Sequence, residues 1–236
     1  YCVFVSRTAR VPHGLEGNFW LRFLLAHTWL YSGATEKTAV WHREIDFNSI
    51  EETIPDLEYG PNRREFYLHD KLRAFKSHQP FAPSAWRRVL HLVRDGRDVM
   101  CSYYHFRRGL GNLEPPDMSF EDFLKADLYP GFGWADHVRS YLDLRGNSTY
   151  DILTVKYEDL HTEPFETMTE IAKWMGLDHR EEVIRRAMAK SSFKSMRRKE
   201  EATGLRIFDE KYADRDRGWR MTRKGRTGGW EECFTT

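Results

Sequence analysis

Cysteine is scarce in this sequence of 236 residues: Cys2, Cys101 and Cys233 are the three, far apart and without a Cys-x-x-Cys pair. Neither a disulfide framework nor a cysteine-based zinc site is expected, and a reducing, cytoplasmic setting is. An excess of charge of one sign is missing as well. Lys plus Arg is 37 against 36 Asp plus Glu, a formal net charge of +1. No general affinity for nucleic acid or an anionic membrane follows, so any anion site has to come from local clustering. Long apolar runs are absent. The longest candidate, Phe19 to Tyr31, is broken by Arg22 and His27 and falls short of the ~18–20 residues that cross a bilayer. There is no internal repeat, no low-complexity linker, no Gly-x-x-x-x-Gly-Lys-Ser/Thr phosphate loop and no clustered set of metal ligands. What remains is a water-soluble composition whose 14% aromatic content is too rich for a disordered chain. It suffices for one core over residues 1–236, read as a single domain.

Apolar periodicity gives the organisation. Tyr1 to Ser6, Arg87 to Val93 and Asp151 to Tyr157 are short, β-branched runs that predict strands. Helical spacing follows each of them. Asn18 to Tyr31 comes after a Gly-bearing loop, with Asn18 as a candidate cap; Asp98 to Arg108 follows the Asp95-Gly96-Arg97 turn. Trp134 to Leu144, Pro164 to Met175 and Glu181 to Lys190 are further helical patterns, and Ser119-Phe-Glu-Asp122 opens another through Leu128. Lys194 to Thr236 is basic and Gly-rich and reads as loop. Strands alternating with helices predict an α/β fold: a parallel sheet flanked by helices, with a P-loop-like nucleotide-binding architecture at its first strand–loop–helix unit.

Four segments carry chemistry. Arg94 ends a predicted strand, where ligands bind in open α/β sheets, and Ser102 lies on the following helix; a guanidinium fork and a hydroxyl suit a phosphate. Arg94 could equally pair with Asp95 or Asp98, leaving Ser102 a surface hydroxyl. Lys76-Ser77-His78-Gln79-Pro80 offers a base that titrates near neutrality and a cation two residues away, on what reads as a loop. Arg223-Lys224-Gly225 begins a run to Trp230 in which adjacent cations flank a flexible glycine, an anion clamp or a solvated basic tail. Tyr157, in Val-Lys-Tyr-Glu-Asp-Leu, could stack on a base or be an ordinary strand aromatic.

The order Lys-Ser-His-x-Pro, then Arg followed by Ser and Tyr-Tyr-His-Phe, then Tyr-Glu-Asp-Leu, then Arg-Lys-Gly-x-x-Gly-x-Trp resembles the cytosolic-type sulfotransferases, which use 3′-phosphoadenylyl sulfate (PAPS) as donor. The resemblance runs from the first strand to Trp230. It implies that Arg94 and Ser102 hold the 3′-phosphate of the nucleotide, with Arg223, Lys224 and Gly225 closing over it. It places Tyr157, Trp20, Ser191 and Phe193 around the adenine. His78 becomes the general base and Lys76 a cation near the transferring sulfonate. No metal is implied. The partner is a small-molecule acceptor, taken to be partly apolar from the aromatic segments Glu36 to Arg64 and Leu110 to Pro130; nucleic acid and membrane are not expected partners.

One segment departs from the family pattern Tyr-Pro-Lys/Arg-Ser-Gly-x-x-Trp. The aligned residues are His13, Gly14, Leu15, Glu16, Gly17, Asn18, Phe19 and Trp20. Gly17 and Trp20 match, but a leucine replaces the cation and a carboxylate the hydroxyl, with Arg7 and Arg10 upstream as substitute charges. An impaired or non-catalytic nucleotide-binding homologue is therefore the competing expectation, and a P-loop kinase-like phosphotransferase a more distant one.

Overall fold

The three predicted strands and a fourth segment form a four-stranded parallel sheet in the order β2-β1-β3-β4, with β1 Cys2–Ser6, β2 Ala74–Ser77, β3 Arg88–Val93 and β4 Asp151–Lys156. The coordinates come from a computed structural model and describe residues 2–6, 17–37, 42–57, 74–81, 86–126, 133–144, 146–206, 216 and 218–234. In register, Val5 faces Ser77, Ser6 faces Leu92 and Val93 faces Lys156. All four strands thus end at one edge. In a parallel sheet that carboxyl edge is where side chains from successive strand ends can meet around a ligand.

The helices are α1 Gly17–Tyr31, α2 Ile50–Thr53, α3 Gly96–Gly109, α4 Phe120–Lys125 and α5 Trp134–Leu142. They continue with α6 Asp159–Thr162, α7 Pro164–Met175, α8 Glu181–Lys190, α9 Phe193–Thr203 and α10 Glu231–Phe234. Local chemistry explains several boundaries. The Asp95 carboxylate caps α3 by accepting from the Arg97 N–H at 2.9 Å, and Ser119 caps α4 by accepting from the Asp122 N–H at 3.0 Å. Pro164 opens α7 and Gly176, at φ +72°, ends it. Asn18 lies inside α1 rather than capping it. The core runs from Leu21, Leu24 and Leu25 of α1 through Leu90 and Leu92 of β3 to Ile171 of α7 and Ile184 of α8, all essentially buried.

Three expectations are corrected. Lys76 and Ser77 belong to strand β2, not to a loop; the strand is only four residues long and its lysine hides it from an apolar pattern. The stretch after Lys194 is not all loop. Ser192 caps α9, accepting from the Ser195 N–H at 3.3 Å, and α9 buries Met196, Lys199 and Glu200. Two of those are charged, so the buried face does not read as apolar. Finally, Cys101 and Cys233 form a disulfide across 132 positions, with Cα atoms 5.9 Å apart. Sequence spacing carries no sign of it because α3 and α10 become neighbours only through the fold. The pairing removes the basis for expecting a reducing compartment.

Beneath the sheet edge, His27 is fully buried on α1. Its Nδ1 donates to the Phe23 carbonyl at 2.8 Å, and its Nε2 lies 3.4 Å from the Lys199 ammonium. Burial, reinforced by Lys199, lowers the imidazole pKa to about 3, and burial lowers that of Lys199 to about 8. A base whose folded pKa lies below its unfolded value destabilises the fold as pH drops, because the unfolded chain binds the proton more readily. We expect the unfolding temperature to fall between pH 6.5 and pH 4, with His27 contributing on the order of a few kcal/mol. His27→Gln should flatten that slope in a pH series of thermal melts. An unchanged slope would place the acid sensitivity elsewhere.

Candidate active site

Arg94 follows β3 at the carboxyl edge and is mostly buried. It does pair with Asp98, Nη2 to Oδ2 at 3.1 Å, but this is no surface ion pair. Asp98 is 2% exposed and also accepts from the N–H groups of Gly228 at 3.0 Å and Trp230 at 2.9 Å. Arg94 in turn donates to the Arg226 carbonyl at 3.3 Å, and the Arg97 guanidinium stacks 3.8 Å over Trp230. Asp98 is thus the seat on which the C-terminal Gly-rich loop folds back over α3, and the Cys101–Cys233 bond ties the same two segments. Ser102, on α3 beside that seat, is 1% exposed, and its hydroxyl is buried with no hydrogen-bond partner. A buried orphan hydroxyl is uncommon and points to an absent ligand group.

Next to Arg94 lies a cavity of about 330 Å³ whose lining includes Trp20, Tyr157, His161, Phe193, Met196 and Arg223. Tyr157 is buried, with the Arg94 guanidinium 4.5 Å from its ring and Trp20 edge-on at 5.8 Å. His161 completes an aromatic corner, 4.6 Å from Trp20 and 4.8 Å from Tyr157. Burial and the nearby Arg94 lower its pKa. The walls are apolar and polarisable, as a flat heteroaromatic base requires. Of the adenine-side residues expected from sequence, Trp20, Tyr157 and Phe193 line this cavity. Ser191 faces away, its Oγ 3.1 Å from His27, and Ser192 lines the wall instead. Gly17 opens α1 one turn before Trp20.

Phe193 is 41% exposed and packs against Gly225, which has φ +59°. A Cβ at Gly225 would lie 2.2 Å from the Phe193 ring. Both the left-handed backbone and the close approach require glycine. We expect Gly225→Ala to strain the loop by about 1–2 kcal/mol and push Phe193 out of place, weakening binding of 3′,5′-ADP (PAP) roughly tenfold in calorimetry. Wild-type affinity in this variant would mean that Phe193 takes no part in the site.

The rest of the loop is shaped by carboxylates. Glu200 on α9, 3% exposed, accepts from the Met221 N–H at 2.6 Å and the Thr222 N–H at 3.0 Å, and from the Thr222 hydroxyl. Glu232 on α10 holds both Lys224 and Arg226. Sequence reasoning missed Glu200 and His161, and it weighed Asp98 only as a surface partner of Arg94. Of the two missed, His161 had a signal, its position one helical turn after Tyr157.

Lys76 and His78 stand at the end of β2, the far edge of the sheet, both almost wholly buried. The Lys76 ammonium is hydrogen-bonded to Asp56, which is 6% exposed. The structure therefore brings Tyr157, Phe193, Arg223 and Gly225 together around one cavity with Arg94 against Tyr157, places Ser102 on α3 and Lys224 against Glu232, and leaves Lys76 and His78 on the other side of β1. Residues 7–16, which connect β1 to α1 and include Arg7, Arg10, Leu15 and Glu16, lie outside the described residues. Among the described residues, Cys101, His105 and Cys233 are the one group with metal-ligand chemistry, and two of them share the disulfide. No helix there is long and apolar enough to cross a membrane.

A parallel α/β sheet with an aromatic cavity and cations at its carboxyl edge has the layout in which open α/β sheets take up ligands. The family model described as the sulfotransferase domain matches residues 17–236, and the chain belongs to that family. Rat sulfotransferase 1C2 is 30% identical over 172 residues, covering 69% of this chain and 56% of the relative, so the match spans little more than half of that protein. Rabbit amine sulfotransferase is 23% identical over 234 residues, covering 95% of this chain and 74% of the relative. In fold, the chain is similar to retinol dehydratase solved with retinol and PAP, with a TM-score of 0.71 and 21% identity over 98% of this chain and 75% of that one. It is also similar to a mouse sulfotransferase complexed with PAP, with a TM-score of 0.68 and 19% identity over 99% and 77% of the two chains.

Proposed function

We propose that this chain, as one domain, transfers a sulfonate from PAPS to a hydroxyl or amine of a small, partly apolar acceptor. The observation that carries the reading is the aromatic cavity walled by Trp20, Tyr157 and Phe193, with the Arg94 guanidinium against Tyr157 and a buried, unpartnered Ser102 hydroxyl on the helix that follows Arg94. The residues present fit the donor. Arg94, Ser102 and Arg223 would hold the 3′-phosphate, with Lys224 released from Glu232 to join them. Trp20, Tyr157 and Phe193 would hold the adenine. The donor supplies an activated sulfonate whose leaving group is the 5′-phosphate of PAP.

His78 would take the proton from the acceptor O–H or N–H. The acceptor atom forms its bond to sulfur as the sulfur–oxygen bond to the 5′-phosphate breaks, so that the products are the sulfated acceptor, PAP and a proton held on His78. Lys76 would offset charge on the sulfonate oxygens. Such transfer depends on in-line positioning and charge compensation, and these residue types meet that demand without a metal. Retinol dehydratase has been solved with retinol and with androsterone, which supports an apolar small-molecule acceptor. A screen of 2-naphthol, 1-hexanol, 2-naphthylamine and a glucosamine glycan with labelled PAPS tests the reading. Transfer to one of the first three supports it, and transfer to none of the four contradicts it.

The altered loop favours a second reading, an impaired homologue, because Leu15 and Glu16 stand in the sequence where the family pattern has a cation and a hydroxyl. Leu15→Lys with Glu16→Ser should raise kcat more than it raises donor affinity, since the added charge counts most as the leaving phosphate develops its own. If both stay unchanged, these residues do not lie at the donor.

A further inference from the structure

The pair at the end of β2 has a third member that the sequence does not announce. Past α2, the chain at Pro55–Leu57 runs parallel to β2. The Leu57 N–H donates to the Lys76 carbonyl at 2.9 Å and the Lys76 N–H to the Pro55 carbonyl at 2.9 Å, which sets Asp56 opposite Lys76. Their side chains meet in an ion pair with both partners buried. Asp56 is itself held: its N–H donates to Glu51 Oε2 at 2.9 Å, and Arg22 of α1 bonds both Glu51 and the Ile54 carbonyl. The carboxylate is therefore a fixed post. His78, two residues beyond Lys76 and just past the end of β2, is buried as well, and its charge acts on Asp56.

We propose that Asp56 is the positioning residue of the transfer site: its buried carboxylate fixes the Lys76 ammonium and supplies the negative charge against which His78 carries the proton it removes. A buried lysine without a counter-charge tends to lose its proton or swing to solvent, and either would remove the cation from the sulfonate. An imidazolium formed in a buried site likewise needs a nearby anion. Asp56 meets both needs because Lys76, His78 and Arg22, outweighing the effect of burial, hold it ionised well below the usual carboxylate range. Among the described residues, the polar groups at this corner include Glu51, which binds Arg22, Ser77, which accepts from the Gln79 N–H, His137 and Tyr141 of α5, which bond the Gln79 carbonyl at 3.1 and 2.8 Å, and His91, whose ring lies against both.

The inference rests on His78 being the base, and two readouts separate its failure from that of the larger reading. The first needs no substrate: the histidine ring signals of labelled full-length protein, with His78 assigned by its loss in His78→Gln, are titrated in wild type and Asp56→Asn. We expect the His78 pKa to drop by about one unit in Asp56→Asn and to return to its wild-type value in Asp56→Glu. The second is turnover of the acceptor found by the 2-naphthol, 1-hexanol and 2-naphthylamine screen. In Asp56→Asn, kcat should fall at least tenfold while the PAP dissociation constant stays within about threefold, and Asp56→Glu should recover part of the rate. A purely structural pair would lower the melting temperature and PAP affinity together and leave the His78 titration in place. An unmoved His78 pKa, or a wild-type kcat, in folded Asp56→Asn overturns the proposal. If Asp56→Asn does not fold, Asp56→Ser is read in the same way. Should His78→Gln itself turn over normally while the titration shifts, it is the base assignment that falls, and the positioning role falls with it.

Discussion

Replacing His78 with alanine should lower kcat by about 10²–10⁴-fold and leave the PAP dissociation constant near its wild-type value. His78 stands at the end of β2, across β1 from the aromatic cavity. On the proposed reading, a side chain placed there would act on the acceptor proton and make no contact with the nucleotide base or the 3′-phosphate. Loss of the imidazole should therefore appear in the chemical step alone. His78→Ala, assayed with saturating donor and the acceptor found by screening, checks this. A wild-type rate would make His78 a bystander. A parallel loss of PAP affinity would mean that the two halves of the carboxyl edge are not separate functions.

The second large effect belongs to Arg94. Arg94→Ala removes the guanidinium that faces Tyr157, pairs with Asp98 and bonds the Arg226 carbonyl. A charge-assisted contact to phosphate is worth about 1.5–3 kcal/mol, so PAP should bind at least tenfold more weakly. The loss has a second source: without Arg94 the Asp98 carboxylate keeps its two loop N–H bonds but loses its counter-charge beside a phosphate. Ser102→Ala should cost less, since it removes one neutral hydroxyl. Lys224→Ala should cost least of the three, because binding must first draw Lys224 away from Glu232. Calorimetry on folded variants ranks them. Equal affinities for wild type and Arg94→Ala would remove the 3′-phosphate from this position.

The parts of the fold that sequence makes legible are those built on apolar periodicity. β3, β4, α7 and α8 lie within a residue of where their patterns place them, because apolar residues recur along each at the spacing its element needs. Elements whose buried positions are charged escape that pattern. Lys76 in β2 and Lys199 and Glu200 in α9 are interior only because Asp56, His27 and the Met221 and Thr222 amides meet them, and no local window contains those partners. The site divides in the same way. Arg94, Ser102, Tyr157 and Arg223 sit in segments whose residue order carries the family resemblance. Asp98, Glu200 and Asp56 work by holding other residues, and their role becomes visible only once distant segments touch. The Cys101–Cys233 bond is the extreme case, since an odd, scattered cysteine count argues against the pairing that the fold makes.

The central claim is that the pocket between Arg94, Tyr157 and Phe193 recognises an adenine nucleotide through its 3′-phosphate. Calorimetric titration of the protein with 3′,5′-ADP and with 5′-AMP, in chelator and without added metal, tests it most directly, because the two ligands differ only in that phosphate. We expect 3′,5′-ADP to bind at least tenfold more tightly, and Arg94→Ala to bring the two affinities together. Equal affinity of the wild-type protein for both nucleotides, or no binding of either, would contradict it.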